Sequence, residues 1–545
     1  MSGSVTGVQF QAAIYPFEGG EYILSGSNAG ILQAQINTSL KGGVGSFSLV
    51  LAPGGPLGTN FRPTWTEILT PMSLVILSIG RGSYYQIVMI GTVISCQESQ
   101  SWNAGSGVPR SIIVDGMDFG QFFSRASYYT TTFLGGAILA EPNAAAGLQA
   151  ILGSSLFVGA PDQFGKAWYQ QIMAGPGSIM ESLQFTYKTS FLKFYDMTQQ
   201  YWQPYGGDVS IPMADYFMLS DGTWFDKFNQ VFPFPYYEFF VTTAPQTYYA
   251  SGTAAGLTDA TQSVSIPGFS SAYPQVVARV NPVPKLVPQS NGSLSIDDSA
   301  WQKLPTFYLD AQDYSGIQSN MAFNESEVRN FYVMNPTNML ATYGVNNGNN
   351  SPWVFSFAAL ADVASIHRYG YRPEISEIHW FADMTGAQAQ TAAANGVGIN
   401  DFGALVSQLT YHLASYFEPT PLMATGSVTT RLRPDVFIGG RFEFSPWKQQ
   451  ESWLFYIEGV QHNFNFGGQS TTTLTLSRGL PSSVYSDAAL LTAMHQGNAQ
   501  RINGAYEIGT PAGLGEALTP VNYQTATSVL GNIANLFAAP QYLSR

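Results

Sequence analysis

Mainly β structure with α+β insertions is the fold class that the sequence predicts, arranged as two small β-barrels, inserted mixed domains and a C-terminal tail. Short runs rich in Val, Ile and Leu, punctuated by Gly and Pro, occur in one tract before residue 126 and in another after residue 424. The two tracts share a layout, and the chain between them is richer in aromatic and helical stretches. With 545 residues, the chain exceeds what one hydrophobic core usually organises.

The first 125 residues contain the first predicted barrel, preceded by an arm. Residues 1–35 are rich in Gly and predict an N-terminal arm with one or two strands. Residues 36–125 predict the first β-barrel, because several short strands follow one another at close spacing. The runs that carry this prediction are Ser46–Leu51, Leu74–Ile79, Gln86–Ser95 and Arg110–Asp115.

The middle of the chain predicts a mixed, aromatic-rich peripheral region over residues 126–340. Phe133–Ala160 is the longest apolar tract, but polar residues interrupt it, so no transmembrane helix is expected. In Phe232–Phe240, proline alternates with aromatic residues, which predicts an extended edge or a docking segment. Asn324–Met334 predicts a short polar turn that leads into a strand.

The C-terminal part predicts the second barrel and a tail. Residues 341–480 are expected to form this barrel with a helical insertion, because Gln388–Tyr416 has helical periodicity. Trp453–Val460 and Ser470–Gly479 predict two of its strands. Residues 481–545 predict a tail with short helices that docks on neighbouring subunits or on a spike.

An internal duplication is a further hypothesis, because similar runs recur in the two β tracts. Leu74–Ile76 followed by Ile87–Val93 resembles Val436–Ile438 followed by Leu454–Val460, with a Gly turn between the runs in each tract. Because Gly turns and Val/Ile runs occur in every β protein, the match alone does not decide between duplication and coincidence.

Composition and charge limit the possible partners. Charged residues make up 10% of the chain, against about 25% in an average soluble domain. The chain instead contains 30 Tyr, 36 Phe and 10 Trp, a balance typical of surfaces that neighbouring proteins cover. Asp and Glu (35) outnumber Lys and Arg (22), and Arg431 with Arg433 is the longest basic grouping, which argues against stable binding of DNA or RNA.

Motifs for catalysis are missing from the sequence. It contains no Gly-x-Ser-x-Gly, no His-Glu-x-x-His and no phosphate-binding Gly-Lys-Ser/Thr loop. The spacing of His367 and His379, with Glu374 and Glu377 between them, favours a structural role over a zinc site. The single Cys96 lies in a strand-like run and predicts a buried, inert thiol. We therefore expect no catalytic, cofactor-binding or metal-binding residues, no cofactor and no enzyme activity.

Acidic pairs are the remaining candidates for acid/base chemistry. Asp297 with Asp298, and Glu325 with Glu327, lie in polar contexts that favour solvated loops or helix caps. Asp118 follows a predicted strand, near Asp115, and is expected to cap the helix that comes next.

Three stretches together resemble a known family. They are Trp65–Leu77 with Ile90–Ile94 and Val108–Asp118, then Asn330–Met334 with Ala364–Arg372, and finally Phe455–His462 with Thr473–Gly479. In this order they resemble the central baseplate hub protein of long-tailed bacteriophages, contractile ones above all. That family is related to the N-terminal part of type VI secretion spike proteins, and the match covers about a third of the chain.

The resemblance implies a structural virion protein of the tail baseplate or tail tip, assembled in the host cytoplasm. Each chain of a homotrimer then contributes two tube-like β-barrels, so that three chains imitate six subunits. Such a hub adapts a sixfold tail tube to a threefold central spike and forms part of the channel for DNA ejection. The implied partners are the chain itself, the tube or tube-initiator protein, the spike, other baseplate proteins and the tape measure protein. DNA passes only in transit, and no stable membrane insertion is implied.

Two other functions remain open from the sequence. One is a tail-associated enzyme that degrades the cell wall with carboxylates from residues 126–305, and the other is a receptor-binding tail fibre. The sequence leaves open the phage, the host, the tail type, the residues that contact tube or spike, and whether the lumen is acidic.

Overall fold

A computed structural model gives the three-dimensional structure of the chain. Phe133–Ala160, most of Gln388–Tyr416 and residues 502–545, for which the sequence makes predictions, lie outside the described residues. The structure describes residues 8–16, 22–25, 30–55, 63–81, 84–100, 110–118, 234–244, 273–288, 294–309, 318–336, 360–378, 412–446, 451–489 and 499–501, with short pieces near 120–128, 222–229 and 491.

Strands dominate the first part of the chain. In order they are β1 Val8–Tyr15, β2 Tyr22–Ser25, β3 Ile31–Ser39, β4 Ser46–Leu51, β5 Leu74–Arg81, β6 Tyr84–Gln100 and β7 Arg110–Asp118, with helix α1 Trp65–Ile68 between β4 and β5. Alternation of polar and apolar residues explains strands such as β3, in which Ala34 and Ile36 are buried and Gln33 and Gln35 are exposed. The predicted arm therefore contributes strands to the sheet described below.

The middle segment contains short strands and two short helices. They are β8 Ser127–Tyr128, β9 Gly222–Thr223, β10 Tyr237–Ala244, β11 Tyr273–Val280, β12 Lys285–Pro288, β13 Leu294–Asp297, α2 Ser299–Gln302, β14 Thr306–Tyr308, β15 Gln318–Phe323, β16 Phe331–Pro336, β17 Leu360–Asp362, α3 Val363–Tyr369 and β18 Pro373–Ile378.

The last part contains the strands of the second β tract. They are β19 Ala424–Arg431, β20 Arg441–Phe444, β21 Trp453–Asn465, β22 Thr471–Pro481 and β23 Ala499–Arg501, with a 3-10 turn at Thr420–Leu422 and helix α4 Ser482–Ser486.

Thirteen of these strands form one sheet. Its order is β15-β19-β22-β21-β3-β4-β7-β6-β5-β1-β2, with β20 attached to β21 and β14 attached to β20. The predicted mainly β fold class is therefore confirmed. Within the part of the chain that the structure describes, the strand pairs form an open sheet, and no closed barrel is found.

Two halves of this sheet have the same topology. We call β1 and β3–β7 the first β unit, and β14, β15 and β19–β22 the second β unit. The spatial order is β1-β5-β6-β7-β4-β3 in the first unit and β14-β20-β21-β22-β19-β15 in the second. Equivalent strands also follow the same order along the chain. Four of the five neighbouring pairs are antiparallel in both units, whereas β1 runs antiparallel to β5 and β14 runs parallel to β20.

The registers of the two units agree as well. Leu74 opposite Thr92 corresponds to Arg441 opposite Tyr456, and the next three pairs continue in step. A register shift interrupts each central ladder at the same place, since it skips Ile94 in β6 and Glu458 in β21. A shared bulge position is a strong sign of one architecture, because a bulge re-aims every residue that follows it.

A left-handed residue marks the same position before β5 and before β20. Met72 and Gly439 both have φ of 74°. The N–H of Met72 donates to the C=O of Val93 at 2.8 Å, and the N–H of Gly439 donates to the C=O of Ile457 at 2.8 Å. Each contact holds the chain against the central strand of its unit just before the next strand begins. The predicted duplication is therefore present in the strand order and in the hydrogen bonding.

The residue correspondence predicted from sequence is shifted. Leu74 corresponds to Arg441, and Val93 corresponds to Ile457, whereas the sequence match aligned them with Val436 and Val460. Val436–Ile438 lies in the loop before β20 and not in a strand. These residues are apolar because Val436 and Ile438 fill the core of the second unit, so burial and not strand formation explains the run.

Each β unit buries its own core, and β21 reaches into both. Phe47, Leu49 and Val114 belong to the core of the first unit. Residues of β20, β21 and β22 form much of the core of the second unit. Phe464, near the end of β21, lies in the core of the first unit. Its ring stacks on Phe10 with the centroids 5.2 Å apart. The two units are therefore packed together as well as hydrogen-bonded.

Strand β10 lies within the aromatic Phe232–Phe240 segment and its continuation, and it contacts both units. Phe240 belongs to the core of the second unit, and Thr243 Oγ1 accepts a hydrogen bond from the N–H of Ile90 in the first. The hydroxyl of Tyr456 donates to the buried Glu238 carboxylate, at 2.6 and 2.7 Å from its two oxygens. β10 pairs with β11 in a two-stranded sheet that packs against the main sheet.

A small mixed sheet contains β16, β17 and β18, which come between β15 and β19 in the chain, and β23, which follows β22. Its order is β18-β16-β17-β23, with β16 parallel to β18 and α3 between β17 and β18. Asn330 holds it together, because its Nδ2 donates to the C=O of Gly370 at 2.7 Å and its Oδ1 accepts from the N–H of Arg372 at 2.8 Å. The Asn330 and Tyr-Gly-Tyr-Arg372 stretches thus meet in space and have a structural role. The predicted polar turn after Asn324 leads into β16.

Replacing Phe464 with Ala should lower the free energy of unfolding by roughly 3 kcal/mol, because a buried ring is lost from the core of the first unit. Phe466 provides the control, since it follows β21 directly and is 56% exposed. Phe466→Ala should change stability by less than about 0.5 kcal/mol. Denaturant unfolding measures both effects, and equal effects would contradict the assignment of Phe464 to the shared core.

Candidate functional site

The histidines and glutamates of residues 367–379, for which the sequence favours a structural role over a zinc site, form no metal site among the described residues. His367 is exposed on α3, and Glu374 on β18 forms an ion pair with Arg329 at 2.9 Å. His379 lies outside the described residues. No group of three or more His, Cys, Asp or Glu that could hold a metal ion occurs in the described part of the chain.

The acidic pairs make local hydrogen bonds. Asp297 Oδ1 accepts from the N–H and hydroxyl of Ser299 at the start of α2, and Asp298 Oδ2 accepts from Gln302 Nε2 at 2.9 Å. Glu325 lies in the polar turn after β15, near Arg372, and is mainly exposed; Glu327 is exposed in the same turn. Asp297 and Asp298 thus bond at the start of α2, and Glu325 and Glu327 lie in an exposed turn, which are the polar contexts that the sequence indicates.

Asp118 is a buried structural carboxyl group. Its Oδ2 accepts from the N–H of Gly45 at 2.7 Å, and its Oδ1 accepts from the N–H of Gly120 at 2.8 Å. Burial raises its pKa to about 7, and these two hydrogen bonds oppose the rise. The N–H of Ser124 donates to the C=O of Gly120, so Gly120 takes the N-cap position of the following turn. The sequence predicts that Asp118 caps this helix, but Asp118 binds the N–H of Gly120 from two residues earlier. It also ties β7 to the start of β4.

Cys96 and Arg433 also lie in environments that fit a structural role. Burial raises the pKa of the half-buried Cys96 thiol to about 11, which favours the unreactive thiol form. Arg433 is 7% exposed and forms an ion pair with Asp435 at 2.7 Å, so it presents little charge to a phosphate. No helix in the described residues is long and apolar enough to cross a membrane.

The two β units join along strand β21. β21 has two different partners along one edge, since its first residues pair with β20 and its later residues pair with β3. The junction pairs Gly459 with Ser39 and continues to Asn465 opposite Gln33. Lys41 Nζ and Glu458 Oε2 form an ion pair beside it at 2.9 Å. The junction makes the two units one continuous sheet.

One face of this sheet carries rows of amide and hydroxyl side chains. Residues directly opposite each other in antiparallel strands point to the same side, so the registers define the rows. Thr429 Oγ1 and Thr473 Oγ1, in neighbouring strands, lie 3.0 Å apart. The members of this polar face are Gln318, Asn320, Ser427, Thr429, Thr471, Thr473, Thr475, Gln461, Asn463, Asn465, Gln33, Gln35, Asn37, Ser39, Ser46, Ser48, Ser95, Gln97 and Ser99.

The polar face is nearly uncharged. Among the described residues of these rows, Asp115 and Arg431 are the ionisable ones. The opposite side of the same strands is apolar, as Ile36, Leu49, Val428 and Leu474 show, and fills the cores. The sheet therefore presents a wide hydrated surface that has hydrogen-bonding groups but little net field.

Sequence reasoning identified the strands but missed this face. The signal was present, because Gln33, Gln35 and Asn37 alternate with buried residues in β3. Gln33 and Gln35 fall within the predicted N-terminal arm, because its Gly-rich composition hides the alternation of β3. The rows themselves join residues more than 400 positions apart, such as Gln461 and Asn37, and pairing of that kind cannot be read from local pattern.

His462 lies at the junction behind the polar face. It is 5% exposed, and its Nδ1 lies 2.9 Å from Thr472 Oγ1. The hydroxyl oxygen of Thr472 also accepts from the N–H of Arg433 at 2.7 Å. The hydroxyl proton of Thr472 is therefore free to be donated to an unprotonated Nδ1 of His462. Burial lowers the pKa of His462 to about 4, although Asp435 opposes this effect. The imidazole is therefore neutral and structural.

No family model matches this chain, and no curated protein matches it. Similar solved structures include a tail protein from Neisseria meningitidis MC58, with 12% identity over 86% of this chain and 96% of that one, at a TM-score of 0.38. The 43 kDa tail protein of prophage MuSo2 from Shewanella oneidensis has 9% identity over 86% and 98% of the chains, at a TM-score of 0.36.

A further similar structure is the Francisella PdpA-VgrG complex. It has 9% identity over 88% of this chain and 53% of that chain, at a TM-score of 0.37. TM-scores of 0.38 and below are too low for these likenesses to decide either fold or function. The repeated strand order and the polar face are the features of this chain from which a function can be proposed.

Acidification should weaken the junction through His462. Its folded pKa of about 4 lies below the ordinary value of 6.5, so the unfolded chain binds a proton first as the pH falls. The contribution of neutral His462 to the free energy of unfolding is complete above about pH 6.5 and is lost as the pH falls toward 4. Relative to His462→Gln, the wild type should lose roughly 2 kcal/mol between pH 8 and pH 5. Denaturant unfolding at the two pH values measures the difference, and parallel losses in both proteins would contradict it.

Proposed function

We propose that this chain is a structural protein of a bacteriophage tail, the hub of the baseplate or tail tip. In this proposal three copies form a closed ring with six β units, which adapts a sixfold tail tube to a threefold spike. The central passage of the ring forms part of the route for DNA ejection. The chain works through its surfaces and has no catalytic centre or cofactor.

The repeated β unit is the single observation that carries the proposal. The two units share strand order, register, a bulge position and a left-handed residue, so each can offer similar contacts to a neighbour. A ring of three chains then presents six similar units, and single features of each chain recur three times. The mixed sheet between β15 and β19 is such a single feature, since the first unit has only a short connection between β3 and β4.

The polar face supports a passage for DNA. A lumen lined by lysine or arginine would hold phosphates through charge, and a strongly acidic one would raise the electrostatic cost of entry. Rows of amides and hydroxyls avoid both effects and stay hydrated. The sequence left open whether the lumen is acidic, and the proposal includes an uncharged one.

The low charge of the chain fits contacts on several sides. A hub meets a tube protein above, a spike below, baseplate and tape measure proteins around it, and its own copies in the ring. Surfaces that partners cover are typically poor in charge and rich in aromatic residues. The chain has 10% charged and 14% aromatic residues, which agrees with this role in the virion tail.

Native mass spectrometry of the purified full chain should give the mass of three 59.1 kDa subunits. Because a trimeric fibre has the same mass, electron microscopy of the same sample should show a ring with six similar lobes. A stable monomer, or an elongated trimer without lobes, would contradict the hub. Zymography on peptidoglycan tests the enzyme alternative, and a clearing band that is lost on mutation of a single Asp or Glu would favour it.

Adding positive charge to the polar face should slow DNA ejection. Gln35→Lys combined with Gln461→Lys places two cations on the face, where they would bind passing phosphates. Gln302→Lys with Gln469→Lys is the matched control, because both glutamines are exposed, in α2 and in the β21–β22 turn, outside the polar face. Dye-reported release of DNA from purified phage measures the rate. Equal rates in the two double variants would contradict a DNA passage along this face.

A further inference from the structure

We infer that copies of the chain join by β-strand pairing between β15 of one copy and the second half of β6, Ser95–Gln100, of the next. This inference rests on the proposed ring, and it adds the contact edges and their register. The partner is a second copy of this chain, because the contact repeats between copies a junction that already exists inside one copy.

The internal junction is the template. β3, the terminal strand of the first unit, pairs antiparallel with the second half of β21, the long central strand of the second unit. Its hydrogen bonding runs from Leu40 N–H donating to the C=O of Glu458 at 2.8 Å, to Phe466 N–H donating to the C=O of Leu32 at 2.9 Å. One unit thus offers a terminal strand, and the other offers the edge of a bulged central strand.

The complementary pair of edges remains at the two ends of the same sheet. By the shared topology, β15 is the equivalent of β3, and β6 is the equivalent of β21. β15 pairs with β19 on one edge, and no described strand lies on the other. β6 pairs with β5 only as far as Thr92, so no described strand covers this edge of Ser95–Gln100.

The register of the new pairing follows from equivalent rows. The row Ser95, Asp115, Ser48, Gln35 in the first unit corresponds to the row Gly459, Thr475, Ser427, Asn320 in the second. Gln35 pairs with Asn463, whose equivalent in β6 is Ser99. Asn320 of one copy therefore lies opposite Ser99 of the next. The full set of predicted pairs is Phe323 with Cys96, Ala322 with Gln97, Met321 with Glu98, Asn320 with Ser99 and Ser319 with Gln100.

Exposure at these two edges differs from exposure at the internal junction. Phe323 is 55% exposed, whereas its equivalent Thr38 is 9% exposed beneath β21. Glu98 and Gln100 are exposed, whereas their equivalents His462 and Phe464 are buried. A neighbouring copy would cover the apolar ring of Phe323. Because Glu98 and Gln100 are polar, the contact between copies should be weaker than the junction within a copy.

The proposed contact is compatible with a closed ring. A contact between two different edges is head-to-tail, and such contacts give a closed ring if the rotation of each step closes and an open filament if it does not. Within each chain, the β3–β21 junction already fixes how one β unit follows the other. A second step of similar geometry between copies continues the same sheet, so that the polar face lies on one side of it throughout.

An engineered disulfide tests the register. Ala322 and Gln97 correspond to Asn37 and Gln461, a pair between two hydrogen-bonded rungs, where antiparallel Cβ atoms are closest. The full chain with Cys96→Ser, Ala322→Cys and Gln97→Cys should form covalent dimers and trimers on mild oxidation. The control has Cys96→Ser, Ala322→Cys and Glu98→Cys, which moves one thiol to the other face of β6 and should cross-link roughly tenfold less.

Native mass spectrometry of the same samples separates the outcomes. A trimer that cross-links equally poorly in both variants would overturn the edge pairing and leave the ring intact. A monomer would overturn both the edge pairing and the proposed function.

A second variant blocks the edge without adding thiols. Asn320 directs its C=O toward Gly426 of β19, so its neighbour Ser319 directs its N–H toward the open edge. Ser319→Pro removes that N–H and should reduce the trimeric fraction while the thermal unfolding temperature of the chain stays close to that of the wild type. Asn320→Pro is the comparison. It removes an N–H that points toward β19, so it should break the β19 ladder and lower the unfolding temperature. An unchanged trimer with Ser319→Pro would contradict the pairing.

Discussion

The pairing of β3 with β21 is the interaction on which the rest of the structure depends. It converts two separate β units into one sheet, and it brings Phe464 of the second unit against Phe10 of the first. Backbone hydrogen bonds, the Lys41–Glu458 ion pair and the shared apolar core act together there. Without this junction the rows of the polar face would end at the boundary between units. The face, the proposed ring and the inferred contact between copies all assume that it holds.

The same strands carry apolar side chains on one side of the sheet and polar side chains on the other. Alternation places Ile36, Leu49 and Leu474 in the cores and leaves amides and hydroxyls on the other side. The second β unit keeps this alternation although it has accepted a mixed sheet between β15 and β19. The insertion begins and ends at strand ends, so it changes neither the register nor the polar face. This separation explains how one chain combines a repeated frame with a large addition.

The sequence predicted the strands well and their arrangement less well. The runs at 46–51, 74–79 and 110–115 are strands because alternating or β-branched apolar residues leave few other solutions. The duplication was visible in outline, but its alignment was shifted, because Val436–Ile438 is a buried loop with the composition of a strand. The predicted absence of a catalytic site rested on missing motifs and remains a prediction. The polar face could not be predicted, because pairs such as Gln461 with Asn37 depend on the tertiary fold.

The covalent link between the two units has a consequence for assembly kinetics. If six separate subunits had to meet, the rate of forming a complete ring would fall very steeply as the protein is diluted. Here every second contact is formed during folding, at the high effective concentration of a single chain. A ring of three chains needs two encounters between molecules, whereas six separate subunits would need five. For the ring of the proposed function, this linkage would allow assembly to begin at a lower protein concentration than six separate subunits require.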